Sequence, residues 1–551
     1  MSTEQPRALV DLHGRSPWSV LPPLCLGFFM IMLDTTIVNV AVPTLMKELH
    51  ADVTSVGWVN SAYLLTFAVL LLVTGRLGDK FGPRPVFIIG LVIFTLASLA
   101  CGLSPTVGWL IAARAVQGVG GALMTPQTMS MITRVFPAQK RGAAMGIWGA
   151  VAGVATITGP VLGGLLVPIG WEWIFFVNIP VGIVALVFAV ISLPKLPTAN
   201  RRLDGIGVLL SVVGMFLLVF GLQEGSTYDW STIAGPITVW GVVAAGVVVL
   251  VAFVLWQRHL GADALMPLTL FHSRNFSMAN VAGFAVTFAM TGIFFPFTIF
   301  LQVGLGLSPL RSALVGVGGS LLSGIVAPFA GRMSDKIPGK WIVAAGFAIL
   351  TGVVFALHEL IEPDAAVWKL VVVMCFFGIG TGCLFSPLAN LATSGLDHRN
   401  AGAGAGAFNT NRQIGGVVGS AAIIALFTSR LGIEIPKAAQ SAAQSLPEAM
   451  REPFVQAFAH VDQDALAGGS SSAFPIPDGV PADAAKQFTS AAMDAVHAGL
   501  ANAVSQTMLL TVLVLAIGLV SALAMKGVRP HHHVEGQAQQ DAAAAAAAQA
   551  H

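Results

Sequence analysis

Leu33-Asp34-Thr35-Thr36-Ile37-Val38-Asn39-Val40-Ala41 sets a single carboxylate inside an apolar run that begins near Trp18. A charge in mid-membrane costs about 2.5–3.5 kcal/mol on insertion scales, so an acidic side chain inside a spanning helix faces the bundle interior or a water-filled path and marks a proton or ion site. The run is one of about fourteen between Trp18 and Met525, starting near Trp18, Thr54, Pro85, Val107, Gly142, Trp173, Gly205, Pro236, Phe276, Pro309, Trp341, Ala366, Ala401 and Ala498. Hydrophobic residues make up 55% of the 551 and charged residues 10%, against roughly 25% charged in a soluble domain. At about 20 residues per span, fourteen spans leave room for loops but not for a large soluble domain.

All four cysteines (Cys25, Cys101, Cys375, Cys383) fall inside apolar runs, where free Cys behaves as a small hydrophobe. No disulfide framework or metal site is implied. The polar segment 1–17 has no cleavage site after a short apolar core, so the first run is expected to be a retained helix. With both termini cytoplasmic, nineteen of the 28 Lys and Arg fall on inside segments and seven outside, with Arg114 and Arg412 within helices. That bias supports an even number of spans in a plasma membrane with the termini inside.

A ten-residue motif occurs twice, Gly75-Arg-Leu-Gly-Asp79-Lys80-Phe-Gly82-Pro-Arg84 and Gly331-Arg-Met-Ser-Asp335-Lys336-Ile-Pro-Gly339-Lys340. Both copies fall in turns expected on the cytoplasmic side. Parallel repeats of this kind belong to two-lobed alternating-access carriers. The expected fold is an all-α integral membrane protein with two pseudo-symmetric six-helix lobes, 18–193 and 274–526, and two extra helices between them, 194–273. A polar loop, 432–496, is placed outside, and the tail 527–551, with His531-His532-His533 and an alanine-glutamine run, is expected to be disordered.

The motifs resemble the major facilitator superfamily, in particular its fourteen-spanner drug:proton antiporters. Leu33-Asp34-x-Thr36-Ile37-x-Asn39-Val40-Ala41-x-Pro43 is similar to that family's first-helix signature, in which the carboxylate at the position of Asp34 is implicated in proton coupling. The two ten-residue loops resemble the superfamily's cytoplasmic loop motif. Gly75, Asp79, Lys80 and Arg84, with Gly331, Asp335 and Lys336, are therefore gating candidates: glycines permit close helix approach, and Asp79 with neighbouring bases can form a charge relay that closes one face. In the fourth span, Leu110-x-x-x-Arg114-x-x-Gln117-Gly118-x-Gly120-Gly121-Ala122 resembles another family motif. Arg114 is always charged and is expected to pair with Asp34 in one conformation and release it in another.

The fifth span reads Gly149-x-x-x-Gly153-Val-Ala-Thr-Ile-Thr-Gly159-Pro160-Val-Leu-Gly163-Gly164. The Gly-Pro-x-x-Gly-Gly element is characteristic of the superfamily's exporters and weak or absent in importers. Small residues let helices approach closely, and Pro160 is expected to kink this one. Trp171-Glu-Trp173-Ile-Phe-Phe-Val-Asn178-Ile-Pro180 also resembles the family; its tryptophans fit an interfacial belt, and no chemistry is assigned to it. The thirteenth span carries Asn409-Thr-Asn411-Arg412-Gln413-Ile-Gly415-Gly416-x-x-Gly419.

The resemblance implies a proton-coupled exporter of amphipathic organic compounds such as drugs, working as a monomer, with no cofactor beyond the proton and no nucleic-acid partner. The substrate cavity is expected to use Asn39, Tyr63, Gln117, Phe295, Gln302, Asn409, Arg412 and Gln413. Acidic residues found elsewhere in the family in the second and thirteenth spans are replaced here by Asn60, Ser61 and Ala62 and by Asn409 and Asn411. Monocationic, neutral or zwitterionic substrates are expected over dications. An uptake permease, or an exporter of one endogenous metabolite, is the alternative. An enzyme is not expected, since His-Glu-x-x-His and Gly-x-Ser-x-Gly do not occur, and the missing Gly-x-x-x-x-Gly-Lys-[Ser/Thr] excludes an ATP-driven pump.

Overall fold

The structure, a computed structural model, describes residues 16–51, 53–198, 204–225, 227–228, 230–261, 264–393, 396, 401–459 and 482–527. The His531–His533 tract and residues 460–481 of the 432–496 segment lie outside them.

Among the described residues thirteen helices are long and apolar enough to cross a membrane. The first lobe holds α1 (Leu21–Glu48), α2 (Val53–Phe81), α3 (Pro83–Gly102), α4 (Val107–Val135), α5 (Ala138–Leu166), the single turn α6 (Trp173–Phe176) and α7 (Asn178–Ser192). Helix α5 is not among the thirteen, but it is as long as α4 and packs between α1 and α11 (Pro309–Ser334). The second lobe holds α10 (Arg274–Ile299), α11, α12 (Gly339–Leu360), α13 (Val367–Thr393), α14 (Ala401–Ala443) and α16 (Ala482–Ala524), with a short α15 (Glu448–Ala459). The two extra helices, α8 (Gly205–Gln223) and α9 (Val239–Leu260), are joined through a hairpin of β1 (Thr232–Ala234) and β2 (Ile237–Thr238). They lie between the lobes in sequence, and α8 packs on α2 and α14.

Local sequence explains the starts and stops. Ser or Thr side chains accept the amide of a helix's third residue at α4 (Thr106), α9 (Thr238), α10 (Ser273) and α11 (Ser308), and Asp204 does so at α8, which satisfies donors that have no partner within the helix. Gly82 turns the chain from α2 into α3 at φ 91°, a conformation that suits glycine. At the far end of α10 a π-helical turn, Phe300–Gly304, closes the helix.

The segment expected to be an outside loop is largely helical where it is described. Helices α14 and α16 have 43 residues each, about 65 Å at 1.5 Å per residue, about twice the hydrocarbon thickness. Their extensions and α15 enclose a separate apolar core of Ile435, Ala439, Phe454, Phe458, Phe488 and Ala492. That core stabilises helix beyond the membrane.

Candidate transport and coupling sites

Asp34 lies on α1 with no solvent exposure. Arg114 Nη1 on α4 donates to its Oδ2, Gln117 Nε2 donates to Oδ1 at 2.9 Å, and Asn178 Nδ2 donates to Oδ1 at 3.3 Å. Arg114 also donates to the Gln117 Oε1 at 2.7 Å and, through Nε, to the Val59 carbonyl at 3.1 Å. Its guanidinium lies 4.3 Å from the centroid of the Tyr63 ring. Asn178 is held by Ser98 at 3.1 Å, and Ser98 donates to the Phe175 carbonyl at 3.0 Å. A buried ion pair is costly unless its remaining polar atoms are also bonded; here α2, α4 and the α6–α7 junction supply partners, while Arg114 Nη2 and Asn178 Oδ1 are buried without one.

A second site lies at the lobe boundary, a cavity of about 320 Å³. Helix period explains its lining. On α10, Thr287, Met290 and Phe294 form one stripe; on α13, Met374, Phe377, Thr381 and Phe385 form another; α14 contributes Asn409, Arg412 and Gln413, all at spacings of one to four residues along one helix face. The N-terminal lobe contributes Phe28 and Met32 of α1, Phe67 and Leu71 of α2, Thr125 of α4, and Trp148, Gly149 and Gly153 of α5. Phe28 stacks on Trp148 at 4.2 Å.

Three of the eight residues expected in the cavity, Asn409, Arg412 and Gln413, line it. Tyr63 and Gln117 do not: both are fully buried in the Asp34 cluster. Gln117 is three residues from Arg114, so one helix face carries both. Phe295 points away from the stripe, 42% exposed and edge-on to Phe427, while its neighbour Phe294 lines the cavity. Gln302, in the π-helical turn, donates to Ser312 at 3.3 Å. The side chains of Asn39 and Pro160 lie outside the described residues. Asn178, to which no chemistry was assigned, belongs to the Asp34 site. Its signal was a buried amide two residues before Pro180 at the start of a span.

The loop motif closes one end of the lobe boundary by a different contact from the expected relay of side chains. Asp79 accepts from the backbone amides of Gly402 and Ala403, both at 2.9 Å, at the start of α14, and Arg76 stands 3.7 Å away. Lys80 lies over the Phe81 ring at 5.3 Å, and Arg84 donates to the Val190 carbonyl at 2.8 Å. In the repeat, Asp335 accepts from Gly142 and Ala143 at 2.8 and 3.0 Å, the fifth and sixth residues of α5 and so near its N-terminal end; Lys336 is exposed. Each aspartate thus crosses to the other lobe and meets the positive end of a helix. The first glycines of the motif permit it: a Cβ on Gly75 would lie 2.5 Å from the Gly402 carbonyl oxygen, and one on Gly331 would lie 2.1 Å from that of Gly142. Burial outweighs the two amide contacts and pushes the Asp335 carboxyl up to about 6.

The glycines of α5 divide by face. Gly153 packs on Ser320 and Gly324 of α11; Gly159 and Gly163 pack on Thr36, Ile37 and Val40 of α1; Gly164 faces open space.

The profile of the Major Facilitator Superfamily matches residues 24–420. The chain belongs to that superfamily. It is a membrane transporter and not an enzyme. It is 44% identical to an uncharacterized MFS-type transporter of Mycobacterium tuberculosis, over 83% of this chain and 80% of that one. It is 33% identical to the tetracenomycin C resistance and export protein of Streptomyces glaucescens, over 77% and 78% of the two chains. The crystal structure of the human organic anion transporter MFSD10 shares the fold, with a TM-score of 0.56 and 13% identity, over 91% of this chain and all of that one.

Proposed function

We propose that this transporter is a proton-coupled antiporter that exports amphipathic organic compounds across the plasma membrane, as a monomer with both termini and the loop-motif face on the cytoplasmic side. The observation that carries the reading is the sealed Asp34 site. A fully buried carboxylate with three side-chain donors is a place to load one proton, and a neutral side chain would pack there at less cost.

The two sites share α1, which gives a route for coupling. Phe28 and Met32 face the cavity and Asp34, two residues on, faces Arg114. Protonation of Asp34 removes the charge opposite Arg114 and leaves a guanidinium without its counter-charge, an unfavourable buried state. Relief comes from shifting α1 against α4. Because Gly159 and Gly163 of α5 lie directly on α1, the shift reaches α5, whose other end lines the cavity and meets Asp335 across the lobe boundary. The direction, export, is supported by the same glycine element and by the name of the Streptomyces relative.

Everted membrane vesicles with an imposed proton gradient test it. Accumulation of at least one aromatic dye or antibiotic, abolished by a protonophore and by Asp34→Asn, is the expected result. Accumulation that follows the gradient equally well in Asp34→Asn removes this carboxylate from the proton path.

A further inference from the structure

The cavity at the lobe boundary carries a cation and no anion. Arg412 lines it, and its guanidinium meets the ring faces of Phe385 at 5.1 Å and Phe408 at 5.9 Å. None of the cavity's lining side chains is acidic, and among the described residues no carboxylate pairs with Arg412. The two buried aspartates of the N-terminal lobe are engaged elsewhere, Asp34 with Arg114 and Asp79 with the first amides of α14. A guanidinium keeps its charge at any cellular pH, and a desolvated charge is expensive until an opposite charge meets it. The wall contributed by the other lobe is aromatic, the Phe28–Trp148 stack. At about 320 Å³ the cavity is near the small end of ligand pockets, which suits a compact fused-ring molecule.

We propose that the cavity selects aromatic mono-anions, carboxylates or phenolates, with the fork of Arg412 on the charge and the Phe28–Trp148 stack against the rings. The proposal rests on the export reading above and narrows its substrate class. It departs from the sequence-based expectation of monocationic, neutral or zwitterionic substrates: a cation entering here meets Arg412 with no lining carboxylate to offset it.

Equilibrium binding to the purified full chain in detergent tests it, with anthraquinone-2-carboxylate, its methyl ester, and a quaternary-ammonium analogue as probes. The carboxylate should bind at least ~10-fold tighter than the ester, with the cation weakest. Arg412→Gln should bring the carboxylate to the level of the ester while changing the ester by less than about threefold. Arg412→Lys should keep part of the preference. Equal affinity for carboxylate and ester in the wild type, or a preference for the cation, overturns the proposal, as does equal loss of both ligands in Arg412→Gln. If Arg412→Gln is not monodisperse, the charge series on the wild type and Arg412→Lys decides. Binding needs no proton gradient, so anion binding without vesicle transport would sink the export reading alone.

Discussion

Gly142 and Gly331 face each other across the lobe boundary so closely that a Cβ built on either would stand 2.2 or 2.1 Å from the other's carbonyl oxygen. No β-carbon fits at either position without moving the helices. The pair has a counterpart in Gly75 and Gly402, where both distances are 2.5 Å, so the same backbone contact is made twice, once by each copy of the loop motif.

Gly331→Ala or Gly142→Ala should therefore part the lobes at this end and favour the state open to the cytoplasm. Spin labels at positions 140 and 336, in a background lacking the four cysteines, would read a shift to longer distances, and uphill transport should fall. An unchanged distance distribution would show that the contact has slack.

A pH dependence follows from Asp335. Its carboxyl sits at about 6 in the latched state, above the ordinary 3.8, because burial outweighs the two amide contacts. The latched state thus holds the proton more tightly than the open one. The group's contribution to latching is full in acid, below the unlatched value, and is lost as pH rises through about 6. The same pair of labels should show the short-distance population shrinking as pH rises from 3.8 to about 6, with little further change above. In Asp335→Asn the population should be flat over that range, and a slope identical to wild type would assign the titration to another group.

Asn178→Ala removes one donor to Asp34 and the link to Ser98. A hydrogen bond to a charged group contributes about 1.5–3 kcal/mol, so gradient-driven transport should drop by at least ~10-fold. Probe binding in detergent should stay within about threefold of wild type, since Asn178 does not line the cavity. Loss of binding and transport together would point to a folding role instead.

Orientation is tested by single cysteines at Glu452 and Lys336, both exposed. An impermeant thiol reagent on intact cells should label position 452 and spare 336. The reverse pattern would invert the assignment of faces.

Charges inside apolar runs made Asp34 and Arg114 readable in the sequence, since the cost of burying each demands a partner. Repetition of an unusual decapeptide made the pseudo-symmetric lobes readable too. Helix phase was the weaker link. Gln117 and Tyr63 are polar residues in spans, and nothing in their identity says whether they face a cavity or a buried pair. Phe294 and Phe295 differ by one residue and about 100° of helix rotation, which one chain without its neighbours does not fix. The partners of Asp79 and Asp335 were hidden for another reason: they are backbone amides, present at every helix start, and only the small residues at Gly142-Ala143 and Gly402-Ala403 mark which starts are used.

Helix α14 links three features along one rod. Its first amides hold Asp79, Arg412 stands ten residues further on, about 15 Å along the axis, and Glu434, next to the cap residue Ile435, is bonded to Gln506 of α16 at 2.9 Å at the base of the helical cap. In the proposed orientation the cap is therefore a handle on the far face whose shaft runs past the cavity at the lobe boundary to the Asp79 contact on the near face. A binder that clamps α14 to α16 at that cap would immobilise the latch from the opposite side of the bilayer, with no need to enter the cavity or to resemble anything the carrier transports.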